Sequence, residues 1–135
     1  MTFEIPLTVY IEDTDAGGIV YHARYLHYME RARTEWLRKH GFTQQALMER
    51  NIQLVVSGLS CRYRQPARLD EQLSVTAAVT AVSHCSATFE QQVMRSDVLL
   101  LSARVDIACI EATRSRPVRW PMPLRLALDQ TVANQ

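Results

Sequence analysis

The spacing of hydrophobic residues along the chain switches between two periods, and the switches mark its elements. Phe3 to Ile11 reads as a first strand, with Val9 and Ile11 among its β-branched residues, and Pro6 points to an edge position or an irregular start. From about Ala23 to Lys39 the period is helical. Tyr25, Tyr28, Met29, Ala32, Trp36 and Leu37 recur at three- and four-residue intervals, Arg24, Arg31, Glu35 and Arg38 occupy much of the other side, and Gly41 supplies a stop. At 1.5 Å per residue this helix is roughly 25 Å long. Thr43 is placed to cap a short second helix running to about Arg50. The period then returns to two. Ile52 to Tyr63 is a strand with a bulge or close backbone approach expected at Ser57-Gly58. Leu73, Val75, Ala77 and Val79 alternate with Ser74, Thr76 and Thr80, and strands from Ala87 to Met94 and Val98 to Ile110 meet near Ser96-Asp97. Prolines keep Arg114 to Pro121 extended, and Met122 to Leu128 can form a helical turn or two.

One strand, one long helix and then four strands is an α+β pattern. It suits an antiparallel sheet of about five strands wrapped around a single helix, because short connections favour antiparallel neighbours. One helix covers only one face of such a sheet. The spare edge or face is expected to pair with another subunit, so the chain is expected to be a homo-oligomer. With 135 residues, 47% of them hydrophobic, and no break in composition, residues 1–135 are expected to form a single domain.

Composition removes several function classes. A net charge of +1 from 15 basic and 14 acidic residues gives no basis for broad nucleic-acid or anionic-membrane binding. Fourteen of the basic residues are Arg, whose planar fork suits carboxylate and phosphate, although biased codon usage produces the same excess. Cys61, Cys85 and Cys109 are odd in number and lack any Cys-x-x-Cys pairing, as expected of small buried hydrophobes in a reducing compartment. Neither a signal-peptide pattern nor an apolar run of the roughly 20 residues that a membrane span needs is visible, so a cytoplasmic location is expected.

The chemistry concentrates in Glu12-Asp13-Thr14-Asp15-Ala16-Gly17-Gly18-Ile19-Val20-Tyr21-His22, between the first strand and the long helix. Carboxylates, adjacent glycines and a helix whose first N–H groups are free together offer a base and an oxyanion site. A calcium loop fails at its fifth position, Gly17, and at its twelfth, Arg24, where a bidentate Glu belongs. Asp13, Asp15 and His22 match no standard metal-ligand spacing, and neither a metal nor a cofactor is expected. There is no Gly-x-Ser-x-Gly nucleophile and no phosphate-binding Gly-x-Gly-x-x-Gly. A carboxylate poised at a helix N-terminus remains. It suits hydrolysis of an activated acyl group such as a thioester, whose thiolate leaves without a strong acid. Asp15 is also a residue type that caps helices and turns, Asp13 more so, and His22 can equally be structural.

The stretch from Glu12 to Tyr25, followed by Met29-Glu30-Arg31-Ala32-Arg33-Thr34-Glu35-Trp36-Leu37-Arg38, closely resembles the hotdog-fold acyl-CoA thioesterases. It is most similar to the branch associated with the bacterial Tol-Pal system. The resemblance extends over essentially the whole chain, including Tyr63 to Asp70. It implies a hotdog fold, an acyl-CoA or acyl-carrier-protein thioester as substrate, and a homodimer or a homotetramer. By the same resemblance Asp15 is the catalytic carboxylate, as nucleophile or as general base. His22 is a catalytic residue whose backbone N–H polarises the carbonyl. Gly18 and Tyr21 are assigned to substrate binding. Arg62, Arg64 and Arg68 join them as a candidate clamp for the phosphates of coenzyme A, or else are solvated and pair with Asp70 and Glu71. Relatives tend to carry Tyr four residues before the catalytic Asp, where this chain has Ile11. On strand alternation Tyr10 points to the opposite face and does not replace it. A hotdog module that binds acyl thioesters without turnover is the alternative.

Overall fold

The computed structural model describes residues 2–133. Strand β1 (Phe3–Thr8) is followed by helix α1 (Arg24–Lys39) and the short helix α2 (Gln44–Glu49). Strands β2 (Ile52–Tyr63), β3 (Gln72–Val82), β4 (Ser86–Arg95), β5 (Val98–Glu111) and the two-residue β6 (Arg116–Pro117) come next, and helix α3 (Met122–Ala133) closes the order. The sheet runs β1-β3-β4-β5-β2, with β6 on the far end of β5, and every pairing is antiparallel. This is the expected α+β hotdog architecture. Pro6 sits opposite Ser74 on the edge strand β1, where a missing N–H costs least.

Helix α1 forms where the helical period predicts it. Its apolar stripe is buried, with Tyr28, Met29 and Ala32 at 0% exposure. It lies against the inward residues of β1, β3 and β4, such as Val75, Val79 and Phe89. Thr43 caps α2 as expected, its hydroxyl accepting the Ala46 N–H at 3.0 Å. The bulge in β2 is also present, as a register shift between Val56 and Gly58. A side chain at position 58 would place its Cβ 3.0 Å from Asp106 Oδ2, so glycine allows a close approach that a larger residue would gain only by displacing that carboxylate.

Two expectations need correction. The first strand ends at Thr8 instead of reaching Ile11, because the Asp13 carboxylate accepts the Tyr10 N–H at 2.9 Å and pulls the chain into a 3₁₀ turn over Ile11–Asp13. Strand alternation therefore does not govern Tyr10 and Ile11, and both are exposed, at 61% and 76%. The C-terminal turn or two is a 12-residue helix. Leu124 and Leu128, one turn apart, are buried, anchoring the helix to the fold, and it continues past the expected end at Leu128 to Ala133. A second helix thus shares the covering of the sheet with α1. Among the described residues no helix is long and apolar enough to cross a membrane.

Candidate active site

The loop from β1 to α1 is held as a miniature antiparallel ribbon. Tyr21 N–H donates to the Asp13 carbonyl at 2.9 Å, Thr14 bridges Val20, and Asp15 N–H donates to the Ile19 carbonyl at 2.9 Å. The ribbon reverses through Gly18, whose φ of 77° is open to glycine at little cost, with its N–H on the Asp15 carbonyl at 3.0 Å. The Gly17 N–H donates to Asp15 Oδ1 at 2.8 Å. One carboxylate oxygen of Asp15 is thereby oriented by the backbone. The side chain stands exposed at the tip, where its other oxygen meets no donor among the described residues. The turn-capping function that Asp commonly serves is present here. It is compatible with chemistry, since it uses only one of the two oxygens.

At the other end of the ribbon the chain turns into α1. Among the described residues the N–H groups of His22, in the turn before α1, and of Ala23, its N-cap, meet no hydrogen-bond acceptor, and Ala23 offers no capping side chain. The His22 side chain is exposed and lies against Tyr21, ring centroids 4.5 Å apart. Its carbonyl accepts the Tyr63 hydroxyl at 2.8 Å. A groove of about 340 Å³ opens beside it, lined by Ile19, Val20, His22, Tyr25, Tyr63, Arg64, Gln65 and Pro66. Asp15 is outside the wall of this groove.

Asp13 is the buried member of the two-aspartate motif. Its side chain is 5% exposed and receives Arg24 Nε at 2.9 Å in addition to the Tyr10 N–H. Burial raises its pKa, but the Tyr10 N–H, Arg24 and Tyr28 together outweigh that, and the carboxyl is held below its ordinary range. The buried Tyr28 hydroxyl meets no partner at direct hydrogen-bond geometry among the described residues, but it interacts with the Asp13 carboxylate at longer range. Burial first and that carboxylate second push the phenol well above its usual value. Tyr25 closes the back of the groove. Its hydroxyl accepts the Ala67 N–H at 2.9 Å, and its ring meets those of Tyr63 and Tyr28 edge-on at 5.6 and 5.9 Å. Sequence reasoning treated Asp13 as a turn residue and gave Tyr25, Tyr28 and Tyr63 no site role. Local pattern carries no signal for a hydrogen bond between residues 41 positions apart, such as Tyr63 to His22.

The three arginines do not form one cluster. Arg64 lines the groove beside His22, whereas Arg62 lies opposite Ser102 in a separate depression with Arg104 and Glu90. Arg68 is exposed, and its backbone is pinned by a bridge to Ile19 and by the Glu71 carboxylate. Glu71 itself pairs with Arg95 at 3.1 Å and not with the expected arginines.

Residues 9–128 match the model of the thioesterase-like superfamily. The chain is 46% identical over 126 residues to the acyl-CoA thioesterase YbgC of Haemophilus influenzae, covering 93% of each chain. It is 42% identical over 120 residues to the acyl-CoA thioester hydrolase YbgC of Escherichia coli O6:H1, covering 88% of this chain and 90% of the relative. Among solved structures, a probable thioesterase from Bartonella henselae superposes with a TM-score of 0.85 at 32% identity, over 90% of this chain and all of the other.

Proposed function

The chain belongs to the thioesterase-like superfamily, and from that premise we propose that it hydrolyses acyl-CoA thioesters to a free acid and a thiol. Relatives carrying the YbgC name fit the Tol-Pal-associated branch that the sequence motif resembles. The observation that carries the reading is an exposed, half-anchored carboxylate at Asp15 on the tip of a short ribbon whose other end carries the N–H groups of His22 and Ala23, which meet no acceptor among the described residues. The N–H groups polarise the thioester carbonyl and stabilise the oxyanion, with the α1 dipole adding to them. The free oxygen of Asp15 attacks the carbonyl carbon, or takes a proton from a water that does so. In the first case the C–S bond breaks to leave an Asp15 anhydride, which water hydrolyses to free the acid while its proton goes to the thiolate; in the second the C–S bond breaks and the proton taken by Asp15 passes to the departing thiolate. His22 contributes its backbone N–H, Gly18 shapes the tip, and Tyr21 and Arg64 face the substrate. An acyl-carrier-protein thioester is accommodated by the same chemistry.

Asp15 lies outside the groove that His22 lines, so a single chain does not enclose the reacting bond. We assign the missing wall to a second copy of the chain in a homodimer, itself able to pair into a tetramer. In support, β2 is an edge strand 12 residues long that among the described residues pairs only with β5, and Val56, Leu59 and Tyr63 along it are 52%, 45% and 48% exposed. Residues 1–135 act as one domain in this reading, working in the cytoplasm without a cofactor or a metal.

The decisive substitution is Asp15→Asn, which keeps the Gly17 N–H bond and removes the anionic oxygen. Turnover measured by thiol release is expected to fall at least ~100-fold while acyl-CoA binding and the melting temperature persist. A variant retaining more than about a tenth of wild-type kcat overturns the assignment. Wild-type protein that binds acyl-CoA but releases no thiol would instead establish a non-catalytic binding module.

A further inference from the structure

The second half of α1 faces a space that the thioester groove does not use. Between α1, α3 and the inner faces of β2 and β5 lies a cavity of about 310 Å³, its wall mostly apolar through Trp36, Trp120, Leu54 and Leu124. Arg33 lies about 16 Å beyond His22 along the helix at 1.5 Å per residue, so this is a separate place on the molecule.

Arg33 is the polar feature that sets the chemistry of the cavity. Its NH1 donates to the neutral oxygen of Gln91 at 2.8 Å. The Gln91 side chain is itself 1% exposed and locked by donating to the Met29 and Thr76 carbonyls, both at 3.0 Å. The guanidinium has five N–H groups, and among the described residues no carboxylate comes within ion-pairing distance of it. Glu30 lines the same cavity, is exposed, and acts on Arg33 only through its field. Burial lowers the Arg33 pKa, with Glu30 opposing that shift. A half-buried cation without a counter-ion is costly, and an anion arriving with its own apolar surface relieves that cost.

We propose that this cavity binds an amphipathic carboxylate, its head gripped by Arg33 and its tail lying between Trp36 and Trp120. The volume is at the low end of small-molecule sites, which suits a single short aliphatic tail and makes octanoate a fitting probe. Free acid is the product of the reaction proposed above, which makes the site a sensor of product, but binding needs no turnover and stands or falls separately from it.

Both tryptophans of the chain, Trp36 and Trp120, line the cavity, so intrinsic fluorescence reads it directly. Titrating the full-length protein with sodium octanoate is expected to give a saturable change, with 1-octanol at least ~10-fold weaker because a neutral head forfeits the charge-assisted bidentate contact. Arg33→Gln is expected to weaken octanoate at least ~10-fold and leave octanol unchanged. Leu54→Phe, which shrinks the cavity with Arg33 intact, is expected to weaken both ligands, and it decides the matter if Arg33→Gln fails to fold. Equal affinity for acid and alcohol, octanoate binding indifferent to either substitution, or no saturable response below the micellar concentration overturns the proposal.

Discussion

Arg24 Nε donates to Asp13 Oδ1 at 2.9 Å and joins the first residue of α1 to the turn that carries Asp15. Because the Asp13 side chain is 5% exposed and that of Arg24 25%, water does little to replace the bond. Asp13→Asn is expected to cost about 2 kcal/mol of stability, chiefly by removing the buried one of the two carboxylates on the guanidinium, since Glu12, the other, at 3.4 Å, is exposed. The sign of the pH dependence follows from a carboxyl held below its ordinary value of 3.8. Its contribution is fully present above that value and is lost as pH falls through the lower folded one. Denaturant unfolding of wild type and variant should therefore differ at neutral pH and converge below pH 3.8. A difference independent of pH would remove the charge from the explanation.

The Tyr63 hydroxyl, 2.8 Å from the His22 carbonyl, fixes the peptide that precedes the free N–H of Ala23. Tyr63→Phe deletes that hydrogen bond and keeps the ring packed on Tyr25. Steady-state kinetics are expected to show kcat lowered about fivefold with KM nearly constant, the equivalent of about 1 kcal/mol in the transition state. A variant with unchanged kcat would show that the carbonyl needs no anchor.

Arg64 and Arg62 allow the proposed phosphate contact to be tested against a control in a different depression. Arg64 shares its groove with His22, while Arg62 occupies a depression with Arg104 and Glu90. Arg64→Ala is expected to raise KM for acyl-CoA about tenfold and to leave a short pantetheine thioester unaffected, since the latter carries no nucleotide phosphates. Arg62→Ala should change neither. Equal increases for both substrates with Arg64→Ala would place that side chain on the acyl or pantetheine portion.

If β2 is the seam between subunits, placing charge on it should split the assembly. Val56→Lys combined with Leu59→Lys is expected to yield monomers by sedimentation at concentrations where the wild type is oligomeric, with a parallel loss of specific activity. Wild-type activity should likewise decline on dilution in step with dissociation. A monomer fully active at nanomolar concentration would overturn the placement of the second wall.

The sequence by itself determined the elements whose periodicity is their own. The apolar stripe from Tyr25 to Leu37 specifies α1, the Thr43 cap specifies α2, and alternation from Leu73 to Val79 specifies β3, because each pattern is a local consequence of 3.6- or 2-residue geometry. The glycine in β2 announced the bulge, and the motif from Glu12 to His22 marks the candidate site. Only the tertiary structure decided how that site is built. Asp13 left the turn vocabulary for a buried ion pair with Arg24, and in doing so ended β1 at Thr8 and exposed both Tyr10 and Ile11. Arg62 and Arg64, neighbours in sequence, went to different depressions, and Trp120 and Leu124 met Trp36 across the fold to form a cavity around Arg33. The physical reason is common to all of them. These outcomes depend on which distant group removes water from a charge or fills a space, and a linear pattern records the charge or the side chain but not what comes to lie against it.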